Sequence, residues 1–274
     1  MTDYSCSITA HHQPRWFDLH ELARPDVVRH IEFYQSTGST NDDAMRLAAE
    51  NTTNLPLLVL AEEQTGGRGR GSNRWWAKNG SLTFSLVIQP SYYGIRPECW
   101  PLISLATAIG ISDALGQCAA GHQIGLKWPN DLHLNRKKVC GILAETISTC
   151  SDRMVIGIGL NVRNSFADAP DELRSIATSI IDETGTDWDL TAVLNQLIVA
   201  LDDRWHELGS GTLPLQETWS RHCVLTGKQV SLLAGEQRVA GLCRGINDRG
   251  ALLLETDGKL QPWFGGVVRI EDLA

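Results

Sequence analysis

Four short apolar runs constrain this chain more than any other feature: Leu57–Ala61 (LLVLA), Ser81–Gln89 (SLTFSLVIQ), Val139–Ile147 (VCGILAETI) and Met154–Leu160 (MVIGIGL). Each has the length of a strand; Ser81–Gln89 alternates, while the other three suit buried strands of a sheet. Shorter strands are expected at His30–Gln35, Leu126–Trp128 and Leu132–Leu134. Helical spacing of small and apolar residues marks Ala44–Ala49, Pro101–Cys118, Leu190–Leu208 and a short stretch at Pro214–His222. Between the first strand and the first helix, Ser39 or Thr40 is placed to N-cap, its hydroxyl accepting from the first free amides. Near Cys223 the texture changes to short strands separated by Gly, Asn and Asp turns, which predicts a small β-barrel-like unit. The expected organisation is a loosely packed lead-in over 1–30, a main domain over 31–222 and the C-terminal unit over 223–274.

The 274 residues are 42% hydrophobic and 20% charged, a globular composition that excludes disorder for most of the chain. No uninterrupted apolar run approaches the roughly 18 residues that span a bilayer, and the N-terminus lacks the apolar core of a signal peptide, so a soluble, cytoplasmic protein with no membrane partner is expected. Seven cysteines, odd in number and without a CxxC pair, read as idle thiols rather than a disulfide framework or zinc cluster. His11-His12 reads as a solvated pair. The net charge of −8 argues against nonspecific binding of a long polyanion.

Charge distribution says more than the sum. From Gln64 to Pro97 there is no Asp or Glu, while Arg68, Arg70, Arg74, Lys78 and Arg96 all fall there. A basic island in an acidic chain points to one local anionic ligand. Within it, Thr65–Ser72 combines four glycines with two arginines: glycines let loop amides approach a ligand, and arginine forks grip phosphate or carboxylate oxygens. It is neither a P-loop nor a dinucleotide fingerprint. Lys127-Trp-Pro-Asn-Asp131 sets an amide and a carboxylate beside a strand-breaking proline, although turn chemistry alone accounts for Asn130-Asp131. Lys138 opens a buried strand, as a surface lysine at a strand end or as a cation held for a negative ligand. Gly157-Ile-Gly-Leu-Asn161 is a strand that something can approach closely, or one with packing glycines.

Taken in order, Gly38-Ser-Thr-Asn41, Gln64 with Gly67-Arg-Gly-Arg70, Lys127-Trp-Pro-Asn-Asp131, Lys138-Val-Cys-Gly-Ile-Leu143 and Gly157-Ile-Gly-Leu-Asn161 resemble the motif set of the biotin protein ligases. Arg244-Gly-Ile, Gly250–Leu254 and Pro262–Gly266 resemble the C-terminal domain of the same family, so the likeness spans roughly 36–164 and 219–270. The resemblance implies an α+β fold: a mixed β-sheet flanked by helices, like the class II aminoacyl-tRNA synthetase core, followed by an SH3-like β-barrel. It implies ATP-dependent activation of biotin to biotinyl-5′-AMP with Mg²⁺, then transfer to a lysine of a biotin carboxyl carrier protein. It assigns Ser39, Thr40, Asn41, Gln64 and Gly141 to biotin binding, and Arg68, Gly69, Arg70 and Lys138 to the reacting carboxylate and α-phosphate, with both arginines and the lysine as catalytic groups. Trp75 or Trp76, Asn130, Asp131, Asn161 and Arg244 fall to the nucleotide, with Asp131 also toward the metal.

Two departures from the pattern stand out. Many relatives carry a further glycine and basic residue after the second arginine, where this chain has Gly71-Ser-Asn-Arg74. Bifunctional relatives also have an N-terminal DNA-binding helix-turn-helix, for which residues 1–30 leave no room, so no DNA partner is expected. The rival readings are a lipoate or octanoate ligase on the same fold, a catalytically dead homologue, and a nucleic-acid module with Trp75-Trp76 as a stacking platform.

Overall fold

A computed structural model of the chain describes residues 6–24, 26–50, 54–147, 150–167 and 169–271. Strands β1 (Ser7–Ala10), β2 (His30–Thr37), β3 (Leu57–Gln64), β4 (Ser81–Ile88), β5 (Ile124–Lys127), β6 (Asp131–Leu134), β7 (Lys137–Ile147) and β8 (Cys150–Asn161) form one eight-stranded sheet in the order β1-β2-β3-β4-β8-β7-β6-β5. The β1/β2 and β2/β3 ladders are parallel and the rest antiparallel, so the sheet is mixed as expected. Its central strands carry the apolar runs because they are covered on both faces. All eight residues of β4 are buried.

Each face has its own layer. Helices α3 (Trp100–Cys118) and α6 (Leu190–Ser210) pack together over one face, where Phe84, Leu86, Ile142, Ile156 and Ile158 meet Ile103, Ile111, Leu194 and Leu201 in the main core. Trp205 of α6 is fully enclosed and donates through Nε1 to Thr107 Oγ1 of α3 at 3.1 Å. The other face carries the short helix α2 (Thr40–Ala48) against β3, β4 and β8, with a smaller core of Ala44, Ala48, Leu57, Val59, Val87 and Val155. That layer covers only part of its face. The uncovered part is where the site forms.

One expectation needs correction. The described part of the lead-in is not loosely packed: β1 extends the sheet, and Phe17, Leu19, Leu22 and Val28 lie in the main core, Leu19–Leu22 as a single-turn helix α1. His11 and His12 are exposed, as expected of a solvated pair, and His11 also stacks on Tyr34 with centroids 4.6 Å apart and bonds Glu32 Oε1 at 2.6 Å. Pro97–Cys118 is, by length and composition alone, long and apolar enough to cross a bilayer, although charged Glu98 and Asp113 interrupt its apolar run. Its apolar character runs nearly all round because α3 is buried between the sheet and α6.

After α4 (Asp171–Ile176), α5 (Ile180–Thr184) and α7 (Leu215–His222) come β9 (Gln229–Ala234), β10 (Gln237–Ile246), β11 (Leu252–Thr256), β12 (Lys259–Trp263) and β13 (Val267–Ile270). They form an antiparallel sheet in the order β12-β11-β10-β9-β13. This agrees with the SH3-like unit, although no ladder joins β12 to β13 among the described residues. The unit rests on the main domain: Trp128 Nε1 donates to the Gly250 carbonyl at 3.0 Å in a buried contact.

Candidate active site

On the α2 side of the sheet, side chains alternate so that Ser85 of β4, Gly157 and Gly159 of β8, and Gly141 and Leu143 of β7 share one face. Small residues there leave a hollow. A Cβ on Gly157 would lie 2.0 Å from Asn41 Oδ1, and one on Gly159 would lie 2.3 Å from the Trp75 ring. The glycines are therefore a floor on which an amide and an indole lie directly. The space between that floor and the loop above it, counted out to solvent, is about 640 Å³.

One wall is the start of α2. Ser39, Thr40 and Asn41 are buried, and Ser39 has extended N-cap geometry, but its hydroxyl makes no capping bond. Gln64 at the end of β3 takes that part: its Oε1 accepts from the Thr40 N–H at 2.8 Å and from Thr40 Oγ1 at 3.2 Å. Ser85 Oγ donates to Asn41 Oδ1 at 2.6 Å and to Thr40 Oγ1 at 2.8 Å, and Asn41 Nδ2 reaches the Leu143 carbonyl and Glu145 Oε2 at 3.2 and 2.9 Å. These bonds join the hydroxyls and amides into one connected wall.

The roof is the glycine-arginine segment, folded as a hairpin. Gly69 N–H donates to Asn73 O at 2.8 Å, Trp75 N–H to Gly67 O at 3.0 Å, and Asn73 Nδ2 to Arg70 O at 2.9 Å. Gly71, at φ +66°, supplies the left-handed position that its turn requires. The departing sequence Gly71-Ser-Asn-Arg74 therefore makes an ordered turn. Arg68 donates to Asp42 and, with both ends of its fork, to Glu145; those Glu145 bonds keep its guanidinium proton above the ordinary range. Arg70 points the other way and donates to the Gly266 carbonyl of the C-terminal unit at 3.0 Å.

Across the hollow, Lys138 Nζ lies 2.6 Å from Asp131 Oδ1 and 5.9 Å from the centroid of Trp75. β6 and β7 pair antiparallel, which sets the Lys127–Asp131 turn beside Gly141 and Ile142 of β7. Asn130 fixes that turn by donating from Nδ2 to the Ile142 carbonyl. Lys127 in the same motif is pushed down by burial, against the pull of Asp131. Under the floor, Cys140 is fully buried and burial pushes its thiol far up, so it is no nucleophile.

Ser39, Thr40, Asn41, Gln64, Arg68, Gly69, Arg70, Trp75, Asn130, Asp131, Lys138 and Gly141 thus all line one cavity, with Asn73 and Arg74. Three expected residues do not line it. Trp76 packs on Phe166 at 5.0 Å, so Trp75 and Trp76 diverge and present no joint stacking platform. Asn161 is buried, donating to Thr178 O and accepting from Asn164, each at 3.0 Å. Arg244 is on β10, ion-paired with Glu255 at 2.5 Å. Sequence reasoning missed Asp42 and Glu145, the carboxylates on Arg68. Glu145 had a signal, a charge inside a buried strand, but nothing in the sequence named its partner.

Comparisons with known proteins agree with this geometry. The model of the Biotin/lipoate A/B protein ligase family matches residues 31–161, and that of the Biotin protein ligase C terminal domain matches 225–268. The chain is 33% identical to the bifunctional ligase/repressor BirA of Bacillus subtilis, over 88% of this chain and 74% of that one. It is 31% identical to the biotin–[acetyl-CoA-carboxylase] ligase of Mycobacterium tuberculosis, over 84% and 85%. The solved structure of the Aquifex aeolicus biotin protein ligase in complex with biotin and ATP superposes with a TM-score of 0.74 at 26% identity, covering 88% of this chain and 99% of that one. With its motifs converging on one cavity and both of its units matched, the chain belongs to the biotin protein ligases.

Proposed function

We propose that this protein activates biotin with ATP, giving biotinyl-5′-AMP and pyrophosphate, and transfers the biotin to one lysine of a biotin carboxyl carrier protein of the acetyl-CoA carboxylase type. The observation that carries the reading is the convergence, on one glycine floor, of a neutral hydrogen-bonding wall and a cationic rim. The wall of Ser39, Thr40, Asn41 and Gln64 suits an uncharged polar head group such as the biotin ureido ring, with Gly141 in the floor beside it. The rim of Arg70, Arg74 and Lys138 suits the acid's carboxylate and the α-phosphate.

Bringing two anions together requires fixed positive charge, and further charge develops on the phosphorus oxygens as the carboxylate attacks. Lys138 and Arg70 are the groups placed to offset it. Lys138 would exchange its contact with Asp131 for the reacting oxygens. Arg70 would leave the Gly266 carbonyl, a neutral partner and so the easier one to give up. The buried Trp75 indole N–H has no partner among the described residues, which leaves a donor for an acceptor on the intermediate. The hairpin over the cavity would shield the mixed anhydride from water until the carrier lysine displaces AMP. Asn130 would lie toward the nucleotide.

Mg²⁺ fits the donors present. Asp131 is the one carboxylate lining the cavity, and no cluster of three or more His, Cys, Asp or Glu among the described residues encloses a metal. That suits an ion held by one or two carboxylates plus substrate phosphates and water. Bound beside Asp131, it would neutralise phosphate charge.

The test is transfer. Purified protein with biotin, ATP and Mg²⁺ should add one biotin mass to a single lysine of a carrier domain. A carrier left unmodified while it is biotinylated by an authentic ligase in parallel would contradict the reading.

A further inference from the structure

Arg68 differs from its neighbours in the rim because its charge is already spent. Its Nη2 donates to Glu145 Oε1 at 2.7 Å, and its Nη1 donates to Glu145 Oε2 at 3.1 Å and Asp42 Oδ1 at 2.7 Å. Such a two-pronged grip fixes orientation as well as distance. Two carboxylates on one guanidinium leave little positive charge to offset the repulsion between reacting anions. Arg70, bonded to a backbone carbonyl, and Lys138, on one carboxylate, keep more. Position supports the same division: neither Glu145 nor Asp42 lines the cavity, so they hold Arg68 from outside it.

Glu145 has a second partner. Its Oε2, shared with Arg68 Nη1, also accepts from Asn41 Nδ2 at 2.9 Å, and Asn41 is a wall of the head-group pocket. Asn41 lies on α2, Glu145 on β7 and Arg68 on the roof hairpin, so one carboxylate oxygen joins three elements. A ligand that fixes Asn41 fixes that oxygen, and the roof with it. We propose that Glu145 is a positioning residue that, together with Asp42, anchors the roof hairpin through Arg68 and links seating of the acid's head group at Asn41 to closure of the hairpin. In this arrangement Arg68 is the hairpin's anchor rather than a catalytic cation. The inference rests on the biotin ligase reading above.

The test is a double-mutant cycle in biotin-dependent pyrophosphate exchange, with tryptic cleavage at Arg68, Arg70 and Arg74 as a second readout. Glu145→Gln should raise the KM for biotin about tenfold while kcat falls less than threefold, because Lys138 and Arg70 are untouched. It should also abolish the protection that biotin gives the hairpin at Arg70 and Arg74. Arg68→Ala should do the same, and the double variant should be no worse than the poorer single one within about twofold, as expected for residues acting through one contact. Asp42→Asn, on the exposed side of α2, should shift KM the same way by a smaller factor and supplies the cycle if Glu145→Gln does not fold. Unchanged KM and protection in the single variants, a loss confined to kcat, or fully additive effects would overturn the proposal. Wild-type protein that shows neither exchange nor protection with biotin would overturn the ligase reading itself, and the anchor with it.

Discussion

Lys138 of β7 and Asp131 of the neighbouring β6 lie 2.6 Å apart in the cavity lining, and in the proposed reaction the lysine is where the two anions would meet. Removing the ammonium should leave the fold intact, since Lys138 is a third exposed and packs in no core. Lys138→Ala is therefore expected to slow biotin-dependent pyrophosphate exchange at least 100-fold, about 2.7 kcal/mol of transition-state stabilisation, with a melting temperature within a few degrees of wild type. Near-normal exchange would remove the lysine from the mechanism. Gly159 allows the complementary experiment on shape. A methyl group there would strike the Trp75 ring, so Gly159→Ala should expel the indole from the floor and weaken biotin binding about tenfold or more by calorimetry while the protein stays folded. Most of these positions were legible through the resemblance of the whole ordered motif set, since the glycine pairs and the strand-opening lysine, taken singly, read equally well as packing and surface residues. It could not choose between Trp75 and Trp76, since the direction of an indole depends on a hairpin register that becomes visible only with the Gly67–Trp75 and Gly69–Asn73 pairs.

At the scale of elements, β4 shows what alternation leaves open. SLTFSLVI alternates in sequence, and its polar positions Ser81, Thr83 and Ser85 are all buried. Those three side chains look toward the partly covered α2 side, where Ser85 holds Thr40 and Asn41 in place. Polar positions in a strand thus marked a site rather than solvent. The helices were legible as elements, but that Gln64 caps α2 was not, because the partner lies on another strand. In the same way β1 is too short to announce itself. It joins β2 beside a cluster in which His11, His30 and Tyr34 all bond the buried Glu32. Burial raises the Glu32 carboxyl, but those hydrogen bonds outweigh it and hold the group below its ordinary range. A carboxyl depressed on folding stabilises above its unfolded value, about 4.3, and that contribution is lost as pH falls through the lower folded value. Chemical denaturation between about pH 5 and pH 3 should therefore show a shallower acid loss for Glu32→Gln than for wild type. Equal slopes would mean that the cluster does not contribute as described.

For the whole molecule, the mixed order of the sheet has a functional consequence. Antiparallel pairing of β4, β8 and β7 brings Ser85, Gly157 and Leu143 side by side from segments as distant in the chain as residues 85 and 157, and the roof hairpin leaves from the end of β3 beside them. The C-terminal unit reaches the same place, since its Gly266 carbonyl holds Arg70. Texture and motifs together foretold two units, but this contact was beyond them, because a backbone carbonyl carries no sequence signature. Pyrophosphate exchange into ATP, run on the purified protein with biotin, lipoate or octanoate as the acid, tests the account most directly. Exchange that depends on biotin, with the other two acids at background, is the predicted result. Exchange with lipoate or octanoate in its place would contradict the reading of the Ser39–Asn41 and Gln64 wall, and exchange with none of the three would contradict adenylation in this cavity altogether.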